Sequence, residues 1–452
     1  MKPSNSDKIP SDHTAPNSSL DDLFHDLFHG LGSDLNPGTL AGASGQVQVE
    51  QGVRTLQEAH QAEDRLAQVE AFAGWQTALD PEAARLRRRV LELVERWQPQ
   101  ATQAFTQGRF PDELFRRLGQ AGALGTSLVG RDGKPPGSKL ATCAVMHAVE
   151  YGDGGLRCAL TVHDSVIQAL VRFGSEAQQA RWLDPLVRGE AVAAFALTEP
   201  QAGSDIRAVS TKATRQGDEW LLTGAKSWIT NGPRADVILI WARTGERNDA
   251  IRGFLVEKGT PGLDVETITT ASAMRIAPVG RVHLDRVRVP HSAMLPHAWG
   301  LTDINACLDY NRMTVLSGVM GGARRCLEIA LTYAAQRYQF GVPIASKQLV
   351  QSMLADMAQR VALGELAILH LARRWEEGPL PRFDVSLIKR HNCAAALEVA
   401  RMARSILAAN GTDLEHQVVR HLLNLEASYS YGGTHEIHGL IVGKALTREN
   451  AF

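Results

Sequence analysis

The chain has 452 residues, of which 44% are hydrophobic and 21% charged, with a formal net charge of -1. That length allows two or three subdomains around a large buried core, and the near-neutral balance excludes a basic nucleic-acid face or a binder of anionic membranes. Cys143, Cys158, Cys307, Cys326 and Cys393 lie far apart with no CxxC pair; this excludes a disulfide scaffold or cysteine-ligated metal and reads as small buried apolar residues in a reduced compartment.

Residues 1–50 are rich in Ser, Asp, Pro, Gly and Asn, a composition expected to stay disordered. Within them Leu20, Leu23, Phe24, Leu27, Phe28 and Leu31 recur at helical spacing and predict an amphipathic helix over 20–31. Such a helix either packs on the protein's own body or docks a partner such as a carrier protein. Residues 51–194 read as an N-terminal helical domain with apolar stripes at Leu56, Leu66, Val69 and Phe72 and again at Leu86, Val90, Leu93, Val94 and Trp97. Asp80-Pro81 is a helix start, by capping and a first-turn proline. A loop at 130–137 precedes two buried helices, 140–149 and 159–173, with Asp153-Gly154-Gly155-Leu156-Arg157 expected as the connection between them.

Residues 195–300 change period. The segments 220–224, 237–241, 253–257 and 280–289 read as strands separated by Gly, Asn and Pro turns, which predicts a compact antiparallel β domain. Residues 301–452 return to long helices, at 303–337, 346–374, 381–410 and 413–427, as in an antiparallel four-helix bundle. The expected fold is therefore a multi-domain α+β chain, mostly α, and that order of elements alone assigns no function. No run of about 18 apolar residues and no basic segment leading into an apolar run is present, so the expected location is cytoplasmic.

Three blocks carry more. The first pairs Phe195-Ala196-Leu197-Thr198-Glu199-Pro200-Gln201-Ala202-Gly203-Ser204-Asp205 with Thr223-Gly224-Ala225-Lys226-Ser227-Trp228-Ile229-Thr230-Asn231-Gly232. The second is Arg337-Tyr338-Gln339-Phe340-Gly341-Val342-Pro343-Ile344 with Gln348, and the third is Asp309-Tyr310-Asn311-Arg312. Together with Tyr431-Gly432-Gly433-Thr434-His435-Glu436-Ile437-His438 they resemble the acyl-CoA dehydrogenase family over about 85–452. Within that family the likeness is greatest to glutaryl-CoA dehydrogenases, through the run from Asn410 to Phe452 and through Arg157.

The resemblance implies non-covalent FAD. Thr198 and Thr230 would hydrogen-bond the flavin, Trp228 would wall it, and Ser204 would lie near phosphates at the cofactor and substrate; an apolar wall with a few donors suits a ring that accepts electrons. Arg337, Gln339, Phe340 and Gln348 would reach the FAD of a neighbouring subunit, where an arginine fork suits pyrophosphate, which implies a homotetramer. The usual Gly-Gly-Asn-Gly turn reads Ala408-Ala409-Asn410-Gly411 here, with Gly411 and Thr434 also matched to the cofactor. Asp309 and Arg312 would contact CoA, and Arg157 would bind a distal anion on a short acyl thioester. Read without the family, Trp228 is a core aromatic, Asp309 and Arg312 are an ordinary i,i+3 helix pair, and Arg157 is a solvated surface cation.

In the family a glutamate at the position of Gly432 removes an α-proton, a step that needs a positioned base. Some relatives carry it at the position of Asn311 instead, and neither residue can serve. The Gly432 N-H can still donate to the thioester carbonyl, beside a flavin ribityl hydroxyl, and so stabilise an enolate. Tyr431, Glu150, Asp153, His163 and Glu436 are the candidate proton carriers. The catalytic set thus expected is Arg157, Tyr431 and Gly432, with no metal. The pattern resembles the branch that desulfinates 3-sulfinopropionyl-CoA and also suits non-oxidative decarboxylation. Desaturation of a CoA or carrier-protein thioester by another base, and a non-catalytic interaction protein, are the other readings.

Overall fold

The computed structural model describes residues 68–69, 71–126, 128, 138–245 and 250–450. The tail of 1–50 with its expected helix, the apolar stripe from Leu56 to Leu66 and the loop at 130–137 lie outside the described residues. After one short turn, α1 (Pro81–Gln107) starts where expected, because Asp80 Oδ1 accepts the N-H groups of Glu82 and Ala83 at 2.9 and 2.8 Å. Its buried Val90, Val94, Trp97, Ala101 and Phe105 follow helical spacing and pack on α3 (Lys139–Gly152). Between them lies α2 (Asp112–Gln120), and α4 (Gly154–Phe173) and α5 (Glu176–Val187) complete this part.

The segment expected as a connection between α3 and α4 is instead the start of a helix. Asp153 alone separates the two: its N-H closes α3 on Val149 O, while its Oδ1 accepts Gly155 N at 2.6 Å and opens α4. Gly155 is needed there, because a Cβ would stand 2.8 Å from Ile276 Cγ1. One capping aspartate therefore performs the whole reversal, and it puts Arg157 in the first turn of a buried helix rather than on a surface loop.

The middle sheet has seven strands: β1 (Ala193–Ala196), β2 (Lys212–Gln216), β3 (Glu219–Thr230), β4 (Val237–Arg243), β5 (Ile251–Glu257), β6 (Leu263–Thr267) and β7 (Val279–Pro290). The order is β1-β4-β2-β3-β7-β6, with β5 on β4. It is not wholly antiparallel, since β1 runs parallel to β4 and β2 meets β4 in a parallel bridge. β1, β2 and β6 are five residues or fewer, and β1 is apolar throughout, so these three lack a readable alternation.

Beyond the sheet lie α6 (Gly300–Gln336), α7 (Gln348–Glu377), α8 (Arg382–Ile406) and α9 (Val418–Ser430), the four long helices expected. A further helix, α10 (His435–Thr447), packs on α8. A core of apolar residues from α3, α6, α7, α8 and α9 joins the two helical parts. Across it runs one buried ionic network. Glu365 on α7 accepts Arg324 on α6 at 2.8 and 2.5 Å and His147 on α3 at 2.9 Å. All five cysteines are buried and unpaired. Among the described residues no acidic, histidine or cysteine cluster could hold a metal, and no helix is long and apolar enough to cross a membrane.

Removing Glu365 would take from the core the one carboxylate that Arg324 and His147 are shown to share. Glu365→Ala is expected to lower unfolding free energy by about 3–5 kcal/mol, measured by urea denaturation.

Candidate active site

The two halves of the first sequence block meet through a bulge. Pairing of β3 with β7 slips between Lys226 and Ile229, which frees Ser227 N to donate to Thr198 O at 2.9 Å. Beneath that contact Lys226 Nζ donates to Glu199 Oε1 at 2.8 Å and to Leu197 O at 3.1 Å. Glu199 also accepts the N-H and hydroxyl groups of Ser210 and Thr211. Burial opposes the Glu199 charge, but Lys226 and these donors outweigh it and hold the carboxyl down at about 2, while burial brings Lys226 to about 8.

Trp228, at the bulge, has φ +61° and an indole 62% exposed. A large aromatic in the left-handed region costs of order 1–3 kcal/mol and marks functional strain. Thr198 is half-buried near it, Thr230 is buried at the end of β3, and Ser204 is exposed. The residues present fit a flat ring laid on the indole with its polar edge toward the threonines. Arg337, Gln339, Phe340 and Gln348 are exposed, Phe340 at 84%, and are therefore brought to the surface rather than to this wall. Gly411 is buried, where a Cβ would lie 2.3 Å from Arg404 O, and Ala408 takes φ +53° at a position where the family has glycine.

A second, deeper group surrounds Arg157. Its Nε donates to Glu150 Oε2 at 2.5 Å, and its Nη2 donates to Ser428 Oγ at 3.2 Å and to the Tyr431 hydroxyl. The guanidinium also lies 5.5 Å from the Tyr431 ring centre. Burial opposes its charge, but Glu150 outweighs that and keeps it firmly protonated. Its Nη1, buried, has no partner among the described residues. Cys158 Sγ, beside it, lies 3.7 Å from Thr230 Oγ1, and Cys158, Met274, Ala277 and Tyr431 pack together, so this group adjoins the end of β3.

The turn Tyr431-Gly432-Gly433-Thr434 closes the site. Gly432 and Gly433 have φ +67° and +92°. A Cβ on Gly433 would be 2.7 Å from His438 Nε2, whereas one on Gly432 would meet only Val315 Cγ2, at 3.8 Å. Gly432 O accepts His438 Nε2 at 3.1 Å and Arg312 Nε at 3.4 Å, while Gly433 O accepts Lys389 Nζ at 2.8 Å. The Gly432 N-H donates to nothing among the described residues. Arg312 also binds Asp309 at 2.5 Å, and Thr434 Oγ1 caps α10 by accepting Ile437 N at 3.2 Å. Asn311 Oδ1 accepts the Ser165 hydroxyl.

The candidate proton carriers separate. Asp153 is taken up by Gly155 N, Arg420 and Asn424. His163 donates from Nε2 to Leu186 O and accepts Ala193 N at Nδ1, and burial brings it down to about 4. Glu436 is exposed. Glu150 and Tyr431 remain beside Arg157; burial raises both, Tyr431 well above an ordinary phenol. A phenol held that high stays protonated and cannot act as a base. Sequence reasoning missed Ser428, Cys158 and Lys389. For Lys389 a signal existed, because Val385, Lys389, Asn392, Cys393 and Ala396 share the buried stripe of α8.

A helical part carrying a buried arginine with a free donor, a bulged sheet bearing a strained exposed tryptophan and a second helical part that closes the site with the Gly432 turn form the layout of a flavin-dependent acyl-thioester enzyme. The chain belongs to the acyl-CoA dehydrogenase family of FAD-dependent oxidoreductases. Models of that family's N-terminal, middle and C-terminal domains match residues 80–190, 194–287 and 299–447. Glutaryl-CoA dehydrogenase of Desulfococcus multivorans is 31% identical over 354 residues, covering 76% of this chain and 90% of that protein. A crystal structure of glutaryl-CoA dehydrogenase from Mycobacterium smegmatis is 41% identical with a TM-score of 0.81, covering 85% of this chain and 99% of its own. Another, in complex with FADH2, is 37% identical with a TM-score of 0.80, covering 83% and 97%.

Glu199, whose carboxyl is held at about 2 against an ordinary 4.5, contributes stability that is full above pH 4.5 and is lost as pH falls toward 2. Lys226→Met is expected to abolish this acid dependence and to cost about 3–5 kcal/mol, as read by urea unfolding between pH 2 and 6.

Proposed function

We propose that this chain acts on a short acyl-CoA thioester with a distal anionic group and removes that group rather than desaturating the chain. The observation that carries the reading is the make-up of the turn. Gly432 offers a free N-H and no carboxylate, and Arg157, one helix away, has a buried unpartnered Nη1. Arg157 binds and orients the distal anion through Nη1, while Glu150 compensates the buried guanidinium when the pocket is empty and fixes it from the Nε side.

For a 2-enoyl thioester with a distal carboxylate the electrons balance without a base. The bond to the carboxylate breaks, carbon dioxide leaves, and the electron pair moves into the thioester, where the Gly432 N-H stabilises the oxyanion. A proton then returns to carbon, and Tyr431, a neutral phenol hydrogen-bonded to Arg157 and Ser428, is the donor nearest that end. A sulfinate in place of the carboxylate would occupy the same arginine. FAD, when bound, supplies hydride acceptance to this family's chemistry and here also a wall against Trp228. Thr198, Thr230, Ser204 and Thr434 would hold it, and Gly411 lies on the turn that partners the Arg337 block. The exposed Arg337, Gln339, Phe340 and Gln348 support contact with a neighbouring copy's cofactor, hence a homotetramer. Asp309 and Arg312 stand where the CoA arm would enter.

Anaerobic stopped-flow of the FAD-loaded protein against thioesters bearing distal carboxylate, sulfinate or methyl groups tests this, with mass detection of products. Loss of carbon dioxide or sulfite without flavin bleaching is expected; rapid bleaching by saturated glutaryl-CoA would sink the reading. Conversely, Gly432→Glu has room for its Cβ and carries a backbone cost of roughly 1–2 kcal/mol for a side chain at positive φ. It is expected to gain flavin reduction by glutaryl-CoA of about 100-fold, the lower range for a positioned base.

A further inference from the structure

Behind the turn lies Lys389, a fully buried residue of α8 that contacts none of the expected cofactor or substrate positions. Its Nζ donates to two backbone carbonyls, Gly433 O at 2.8 Å and Ser428 O at 3.3 Å. One carbonyl precedes Gly432 in the chain and the other follows it, so a single ammonium spans the turn. Among the described residues Lys389 forms no ion pair with a carboxylate. The charged groups facing it are Arg312 from α6, Arg157 from α4 and Glu436 from α10, with the Cys393 thiol on its own helix; burial lowers its proton affinity most, and the two arginines lower it further. Of these only Glu436 is anionic, and it is exposed.

A buried lysine without a counter-ion is costly. A turn could be fastened by a neutral amide or a water at less cost, which leaves the charge itself to be explained. The carbonyls of Ser428, Gly432 and Gly433 are all drawn toward Lys389, Arg312 and His438. With its flanking carbonyls held on that side, the Gly432 N-H, like those of Gly433 and Thr434, has no acceptor among the described residues, and Gly432 is the position where the family's catalytic turn places its oxyanion donor.

We propose that Lys389 is a positioning residue: its ammonium fastens the turn on both sides of Gly432, fixing the direction of the Gly432 N-H, and its unneutralised charge favours an anionic oxygen at that donor. This rests on the reading of Gly432 N-H as the oxyanion donor. No proton moves to or from Lys389 in this role. A glutamate at position 432 would bring a negative charge to the same turn, so the charge is fully available only in a chain with glycine there.

The test uses FAD-loaded full-length protein and butyryl-CoA carrying ¹³C at the thioester carbonyl, followed by isotope-edited infrared spectroscopy. In the wild type the bound carbonyl stretch is expected to fall below that of free ligand. Lys389→Met is expected to return it to the free value while binding weakens by less than about tenfold, and to lower kcat for decarboxylation of a 2-enoyl thioester with a distal carboxylate about 100-fold with little change in KM, as for loss of one oxyanion donor. Lys389→Arg keeps the charge and two donors and should retain most of the stretch shift; Lys389→Gln keeps donors without charge and should lose at least half of it. If Lys389→Met does not fold, the arginine and glutamine variants decide the matter. A wild-type stretch shift preserved in the methionine or glutamine variant would overturn the positioning role alone. No stretch shift in the wild type would overturn the oxyanion reading of Gly432 and this proposal with it.

Discussion

The buried ion pair between Glu150 and Arg157 is the constraint to which the rest of the site conforms. Both side chains are essentially inaccessible, and neither charge is tolerable there alone. The surrounding elements make room for it. A Cβ on Gly318 of α6 would stand 2.4 Å from Glu150 Oε2 and 2.8 Å from Arg157 Nε, and one on Gly154 would crowd Glu150 and Asn424. A second buried pair, Asp153 with Arg420 of α9 at 2.5 Å, lies beside it and is extended by Gln98 of α1 and Asn424 of α9. The junction of α3 and α4 is thereby tied to the segment that runs into the Gly432 turn. Apolar residues of similar volume would make an equally stable or more stable junction, so the pair is best explained by Nη1, the donor it leaves free.

The same logic separates what the sequence revealed from what it hid. Long amphipathic helices such as α6 and α8 show their period directly, and Asp80-Pro81 marks a helix start by local chemistry. The two segments that meet at the β3 bulge are legible because each is one continuous short run of sequence, at 195–205 and 223–232. Arg157 was recognised by its match to the family yet placed in a connection, since a single-residue reversal at Asp153 has no composition signal. Its partner Glu150 appeared only as one carboxylate among several. Ser428 and Tyr431 reach Arg157 across 271 and 274 positions, and no local pattern encodes such a distance. Trp228 could be named as a wall, but its positive φ depends on a bulge set by pairing with β7.

Charge at the turn joins these observations. In a family member with glutamate at this position, the carboxylate would sit among Arg312, Lys389 and Arg157, and their charges would be partly cancelled. Here Gly432 removes the anion and leaves the cations, with Glu150 the one buried carboxylate held against Arg157. On the proposed function such a site is a poor acceptor of a proton from carbon: Tyr431 is held as a phenol, His163 is bound at both nitrogens, Asn311 is an amide, and Glu150 is engaged by Arg157. It is suited to accepting an electron pair released from a breaking bond, because negative charge arriving at the thioester oxygen meets a free N-H in a positive surrounding. In the proposed reaction a glycine at position 432 would therefore favour charge moving away from a departing distal group and toward the thioester. The bulge that strains Trp228 and the fold around it do not depend on that position, which is why the family is evident from matches spread between residues 80 and 447 while the proposed chemistry would turn on a single residue.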